Sequence, residues 1–329
     1  LIPFLFAEIT DKLHFGTEIE FEHGANIEVE DGEAEGFGEI NIEFATLDYS
    51  LSEALNLRGG IILTPLGRFN LVHDSPVNDL TDRPLVDQGI IPTTLSEAGF
   101  GLFGTIYPTG RSLVSYELYL VNGFTDGVLT ESSVRVRDGR GLRGEDNNFA
   151  KSVVGRLAFS PFLGLELGAS AHTGKYGSRG SDEDGGDTTV AGDGRLTIWA
   201  LDATWQRGRF ELLGEYGHVN IDLPDVLRDA GVADAQDGYY VQANYHFGHG
   251  WIPPTASSVF TGVVRWDRVD FSRGAPGDVL ERLSLGLNWR PVEDAVLKSD
   301  FQWNWPTAPG STRRGAPERR VLVSLATYF

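Results

Sequence analysis

Along most of this chain, apolar and polar side chains alternate one by one, the two-residue period of a β-strand with unlike faces. About fourteen segments of roughly ten residues carry the period. They cover 13–29, 36–50, 54–64, 94–107, 112–123, 151–160, 165–176, 194–205, 209–220, 237–247, 258–270, 280–290, 295–305 and 320–329. Within 280–290, Leu283, Leu285, Leu287 and Trp289 oppose Arg282, Ser284, Asn288 and Arg290. Within 237–247, Tyr239, Val241, Ala243 and Tyr245 oppose Gln242, Asn244 and His246; in the first segment Ile19 and Phe21 oppose Glu18, Glu20 and Glu22. The last segment sets Val321, Val323 and Leu325 against Leu322, Ser324, Ala326 and Tyr328, and ends on the aromatic Phe329.

Connections between these segments alternate in length. Short ones fall at 51–53, 108–111, 161–164, 206–208, 248–257 and 291–294; long ones at 65–93, 124–150, 177–193, 221–236, 272–279 and 306–319, with 30–35 a short exception on the long side. A transmembrane antiparallel up-and-down β-barrel requires this sorting, with tight periplasmic turns and longer outer loops. About fourteen strands are expected, sixteen being the alternative; an even count puts both ends of the wall on the periplasmic side. In a soluble barrel the enclosed face is the apolar one; here a charged face opposes an apolar one, which predicts apolar outside and wet inside. Tyr107, Trp205, Tyr245, Trp251, Trp289, Trp303, Trp305 and Tyr328 lie near strand ends, where an interfacial aromatic girdle belongs. Ten residues tilted by about 40° rise through roughly 25 Å, and fourteen strands enclose a lumen of on the order of 12–16 Å, too wide to fill with side chains. The 65–93 connection, with Arg68, His73, Asp74, Asp79, Asp82 and Arg83, is the segment expected to narrow it.

Bulk composition narrows the possibilities further. No apolar run reaches the length of a membrane helix, and Cys is absent, which excludes disulfides, thiolate metal sites and cysteine nucleophiles. A formal charge of −20 excludes a nucleic-acid partner and biases an aqueous lumen toward cations. No secretory signal is present, so the sequence reads as a mature exported chain. All 329 residues read as a single outer-membrane barrel domain.

Four stretches carry a resemblance: Leu55-Asn-Leu-Arg-Gly-Gly-Ile-Ile-Leu-Thr-Pro-Leu-Gly67, Tyr116-Glu-Leu-Tyr-Leu-Val-Asn-Gly123, Gly238-Tyr-Tyr-Val-Gln-Ala-Asn-Tyr-His-Phe247 and Gly286-Leu-Asn-Trp-Arg-Pro-Val-Glu-Asp-Ala-Val-Leu-Lys298. Together they resemble the phosphate-selective porin family. The resemblance implies a β-barrel porin of the bacterial outer membrane, commonly trimeric, that passes small anions. Separately, the last strand, ending on Phe329, resembles the closing strand of a bacterial outer-membrane β-barrel and the signal that the barrel assembly machinery reads. Family members often have sixteen strands and a lysine or arginine ladder; no lysine ladder is present here, so the fold carries over and phosphate selectivity does not.

Strand phase points Glu18, Glu20, Glu22, Glu39, Glu43, Glu117, Glu166 and Glu211 inward, together with Arg58, Arg156, Arg265, Arg282 and Arg290. Acids on the first strands facing arginines on the later ones would set a field across the pore, with cation preference the expectation. The bland alternative is a solvated wall of weak ion pairs. The stretch 181–187 is rich in oxygen ligands without EF-hand spacing. The arginines at 135, 137, 140 and 143 sit in one long connection that would recruit anionic solutes or lipopolysaccharide phosphates, or contact acidic loops of the same barrel. Residues 223–233 predict a short helix. No Gly-x-Ser-x-Gly elbow or His-Glu-x-x-His occurs, the seven histidines show no ligand spacing, and Ser170 with His172 lacks a third partner. The expectation is therefore no enzyme, no metal and no cofactor, with small ions and solutes, the lipid bilayer and further copies of the chain as partners. Three functions follow: a passive diffusion channel, a structural or partner-enclosing barrel without open conductance, and a barrel hydrolase.

Overall fold

In the computed structural model the structure describes all residues except 31–32, 131–132, 142–149, 178, 182–186, 190–193, 253–256 and 329, with backbone alone for 22–30, 33–39, 179–181 and 187–189. One sheet of 15 strands holds nearly all the regular structure, each strand paired antiparallel with its neighbours in chain order. The strands are β1 Phe4–Thr10, β2 Leu13–Glu30, β3 Glu33–Ser52, β4 Leu55–Leu63, β5 Ser96–Thr109, β6 Ser112–Val121, β7 Ser152–Phe162 and β8 Leu165–Lys175. They continue as β9 Arg195–Arg207, β10 Phe210–Ile221, β11 Ala235–Phe247, β12 Val259–Asp270, β13 Val279–Val292, β14 Ala295–Thr307 and β15 Glu318–Thr327. Two short helices, α1 Leu85–Gly89 and α2 Asp225–Asp229, lie in the long connections, and a two-stranded ribbon joins Arg179–Ser181 to Asp187–Thr189.

All fourteen expected strands are present, and β1 is an addition. Leu13 and Thr327 still fall at the short-turn end, but β1 runs back along the wall, so β1 and β15 point the same way. The rings of Phe4 and Tyr328 lie 6.5 Å apart, bringing the two edges of the sheet together. Tight turns use residues that the backbone demands. Gly208, between Arg207 and Arg209, sits at φ 62° in the β9–β10 hairpin, a region costly for any side chain.

The outer face wears hydrocarbon. Leu157, Leu167, Leu201, Leu212, Val241, Val264, Leu285, Leu287, Leu297, Val321, Val323 and Leu325 are all exposed. A patch on this scale on a monomer marks contact with lipid or partner protein. Aromatics gather at the strand ends: Phe210, Tyr245, Phe247, Trp251 and Phe260 form one cluster by the short turns, and Trp266 packs on Trp305 near the other end. Tyr328 departs from the expected girdle; it turns inward, and its hydroxyl donates to Asp74 at 2.8 Å.

The interior departs from the expected wide, wet lumen. A cluster of buried apolar side chains joins the inner faces of β9–β12 near the long-loop end (Leu196, Ile198, Val219, Ile221, Tyr240, Val269) to segments 64–95 and 122–141. Those connections contribute Leu66, Leu85, Val86, Ile90, Ile91, Phe124, Val128, Val134 and Val136. They fold into the barrel because residues this apolar gain more from burial against the wall than from standing in water, roughly 1.5–3 kcal/mol for each large side chain.

Candidate functional site

Segment 64–95 is fastened to the wall by its own backbone. Glu215 on β10 accepts from the amides of Arg68 and Phe69 at 2.9 and 3.0 Å. Gly67, at φ 71°, passes so close that a Cβ there would lie 2.0 Å from the Glu215 carboxylate, so only glycine fits. Ser170 on β8 accepts from the Gly67 amide at 2.8 Å, Asp267 on β12 from Leu85 at 3.0 Å, and Asp300 on β14 from Thr81 at 2.6 Å. Lys298 donates to the Ser75 carbonyl at 2.6 Å, and Arg290 to that of Pro76 at 2.6 Å. The segment thus crosses the barrel and is fastened to the side formed by β8–β14.

The opposite side, along β2–β4, keeps its cavities. One of about 730 Å³ is lined by Glu20, Asn41 and Glu43 on the wall and by Arg83, Arg137, Asp138 and Arg140 on the inserted segments. Glu20, Glu43 and Arg83 also line a second cavity of about 230 Å³ that continues to His73 and Asp74. A third, of about 300 Å³, reaches His14, Asp48, Arg58 and Glu117 nearer the short turns. The three guanidinium groups converge on one stretch of main chain: Arg83 and Arg137 donate to the Thr93 carbonyl at 2.7 and 2.8 Å, and Arg140 to that of Thr94 at 2.9 Å. Burial and the neighbouring Arg83 both hold Arg137 below the ordinary guanidinium range.

A β-bulge builds the acidic wall. Glu18 pairs with Phe44 and Ile19 with Ile42, so Glu43 is the extra residue of the bulge and both Glu43 and Phe44 face inward. Glu43 meets His73 Nε2 at 2.8 Å. Burial opposes protonation of that ring, but the Glu43 carboxylate outweighs it and holds the His73 pKa above the ordinary imidazole value.

The expected pore residues fall into three sets. Glu20, Glu43 and Arg83 line both the open cavity and the smaller one, Asp74 lines the smaller one, and Glu18 is buried. The remainder are mostly engaged in pairs. Arg58 binds Asp48 at 2.7 Å and approaches Glu117 at 3.8 Å. Arg156 binds Asp202 and lies 3.7 Å from Glu166, which is 4.0 Å from Arg68. Glu211 accepts from Asn244 at 2.8 Å. Arg265, Arg282 and Arg290 do not face the early acids across open water. They bind Asp267, Asp82 and Asp79 at 2.9, 3.4 and 3.1 Å, the last two because the inserted segment brings its own acids to them. The side chains of Glu22 and Glu39, residue Phe329 and most of the 181–187 stretch lie outside the described residues.

Other expectations shift as well. Arg137 and Arg140 lie inside the barrel and Arg135 binds Asp278 at 3.4 Å, while Arg143 lies outside the described residues. The signal was the alternation Val134-Arg-Val-Arg137, whose valines are buried. His172, read from sequence as lacking a third partner beside Ser170, pairs with Glu97 at 3.1 Å, because β5 brings Glu97 to it; Ser170 accepts from a loop amide. The seven histidines show no ligand spacing in sequence; among the described residues the fold nevertheless brings ligand atoms of Glu43, His73 and Asp74 within 4.8 Å of one another. Sequence spacing could not show this, since residues 43 and 73 meet only after the segment folds inward.

No family model matches the chain. It is 29% identical over 322 residues to an uncharacterised protein of Aquifex aeolicus, covering 92% of this chain and 69% of that one. In structure it is similar to OmpF of Salmonella typhi, at TM-score 0.59 and 13% identity over 99% of this chain and 88% of that one. It is also similar to an anion-selective porin from Comamonas acidovorans, at 0.57 and 12% over 97% and 85%. The trimer form of OmpT, an outer-membrane protein of Vibrio cholerae, gives 0.55 and 11% over 98% and 89%. The fold is thus the porin-type β-barrel of the bacterial outer membrane.

Proposed function

We propose that this chain is a passive diffusion channel for ions and small hydrophilic solutes across the bacterial outer membrane, formed by residues 1–329 as one barrel domain. The observation that carries it is the open cavity of about 730 Å³ with carboxylates on the wall and guanidinium groups on the inserted segments. Such a constriction sets a field transverse to the path, which orients dipolar solutes and favours those carrying both charges. Its lining holds three arginines against Glu20, Glu43 and Asp138, so the local charge balances formally and the selectivity comes from placement. The grouped guanidinium groups are also where the likeness to phosphate-selective porins would act, as donors to an oxyanion. Association into homotrimers is part of the proposal, supported by the trimer form of a structural neighbour.

A second reading has its own support. The apolar cluster in the barrel interior favours a closed barrel with a structural or partner-binding role. Reconstitution into planar bilayers separates the two. Discrete conductance steps, with swelling of liposomes in zwitterionic solutes, are expected for the channel; a silent bilayer at high protein load would overturn it.

A further inference from the structure

Beside the open cavity, three parts of the chain present metal-ligand atoms to one spot. His73 Nε2 lies 2.8 Å from Glu43 Oε2 and 3.9 Å from Asp74 Oδ1. Around a four-coordinate zinc ion, ligand atoms sit about 3.4 Å apart, between these two distances. Both outer partners that metal ligands characteristically have are in place. The other ring nitrogen, His73 Nδ1, lies 3.0 Å from the Asn70 carbonyl, and the second oxygen of Asp74 accepts from Tyr328 at 2.8 Å.

A second, independent observation concerns Glu18. Glu18 on β2 is 2% exposed, and its Oε1 has no hydrogen-bond partner. Its carboxylate lies within electrostatic reach of Glu43, Asp74, His73 and Glu20. A buried carboxylate with an unsatisfied oxygen is costly unless a positive charge compensates it. Arg83, a guanidinium on the same inserted segment, donates to the Thr93 and Thr94 oxygens.

We propose that Glu43, His73 and Asp74, with the unpartnered oxygen of Glu18 beside them, bind one divalent transition-metal ion. An imidazole nitrogen among carboxylate oxygens suits zinc better than calcium or magnesium, which prefer more ligands and oxygen alone. Binding through Nε2 requires that nitrogen without a proton. The ion joins β2 and β3 to the inserted segment, next to the point where Tyr328 meets it. If the barrel conducts as proposed above, occupancy also cancels negative charge on the acidic side of the cavity and moves ion preference toward anions. That consequence rests on the channel reading; the binding itself does not.

The test is metal content, read apart from conductance. Full-length protein purified in detergent, stripped with chelator and titrated with zinc at neutral pH should take up one ion per chain by calorimetry and elemental analysis. Asp74→Asn and His73→Gln should each weaken that binding by roughly 100-fold, while His249→Gln, at an exposed turn, leaves it unchanged. Folding of each variant is checked by far-UV circular dichroism and heat-modifiable migration. Absence of stoichiometric zinc in the wild-type protein would overturn the proposal, as would folded Asp74→Asn binding zinc like wild type. Zinc uptake in a barrel that passes no current would leave this inference standing and remove only the channel reading.

Discussion

Arg83→Gln isolates the field at the constriction. Arg83 lines both adjoining cavities and donates to main-chain and hydroxyl oxygens rather than to a carboxylate. A sphere of 730 Å³ has a radius of about 5.6 Å, so an ion at its centre lies about that far from a charge on the wall. In water-like surroundings the interaction is about 0.7 kcal/mol, and 0.1 M salt reduces it to about 0.4 kcal/mol. Anions lose that attraction and cations lose an equal repulsion, so the permeability ratio moves by about 0.8 kcal/mol, roughly fourfold toward cations. Glu20→Gln, on the opposite wall of the same cavities, should move it by a similar factor toward anions. Reversal potentials across a KCl gradient in planar bilayers read both shifts. Two conducting variants with the wild-type ratio, or with shifts in the same direction, would refute a path between these side chains.

Further outcomes follow from the way the inserted segment and the wall are held. Glu215→Ala removes the acceptor of two loop amides at about 1.5 kcal/mol each, so denaturant unfolding should show a loss of about 3 kcal/mol, with noisier conductance. Leu201→Arg puts a charge on the apolar outer face and should cost about 2–4 kcal/mol in lipid if Leu201 lies at mid-membrane; inward-facing Ser284→Arg tests the interior instead. Asp87 in α1 is fully buried, and burial first, then the Glu215 charge, hold its pKa well above the ordinary carboxylate value. A carboxyl with a raised folded-state pKa stabilises the fold fully only below its unfolded value, and that contribution is lost as pH rises toward the folded value. Stability should therefore fall from acid toward neutral pH, and Asp87→Asn should flatten the fall and raise the melting temperature at pH 7.5; an unchanged pH profile would rule this out.

The wall was legible because each strand repeats a local contrast between a lipid face and an inner face, and fourteen strands could be placed from it. β1 was not, because Phe4 and Phe6 face inward opposite Leu5, Ala7 and Ile9, leaving little contrast to see. Inward phase was also readable for Arg58, Arg156, Arg265 and Arg282, but the partner of each was not. Asp79 and Asp82 reach the later arginines only because segment 64–95 turns into the barrel. The apolar run Leu85-Val-Asp-Gln-Gly-Ile-Ile91 announces burial, yet sequence alone leaves open what covers it. Arg137 and Arg140 were visible as a cluster, and their position depends on the same inward fold.

That inward fold changes what the net charge of −20 means. If the acids stood free along a water-filled lumen, cation preference would follow from their number. Several instead serve the architecture: Glu215, Asp267, Asp300 and Glu97 each accept a main-chain amide from an inserted segment. Backbone groups brought inside a barrel need partners as much as those in any core, and a carboxylate on the wall is a strong acceptor in a place where water is scarce. Others, such as Asp202, Asp79 and Asp82, neutralise arginines at short range. If the barrel conducts, the charge a permeating ion meets is then set by the few groups that still face the cavity. On the channel reading proposed above, total charge would overstate the cation preference, and the balance of Glu20, Glu43 and Asp138 against Arg83, Arg137 and Arg140 would set it.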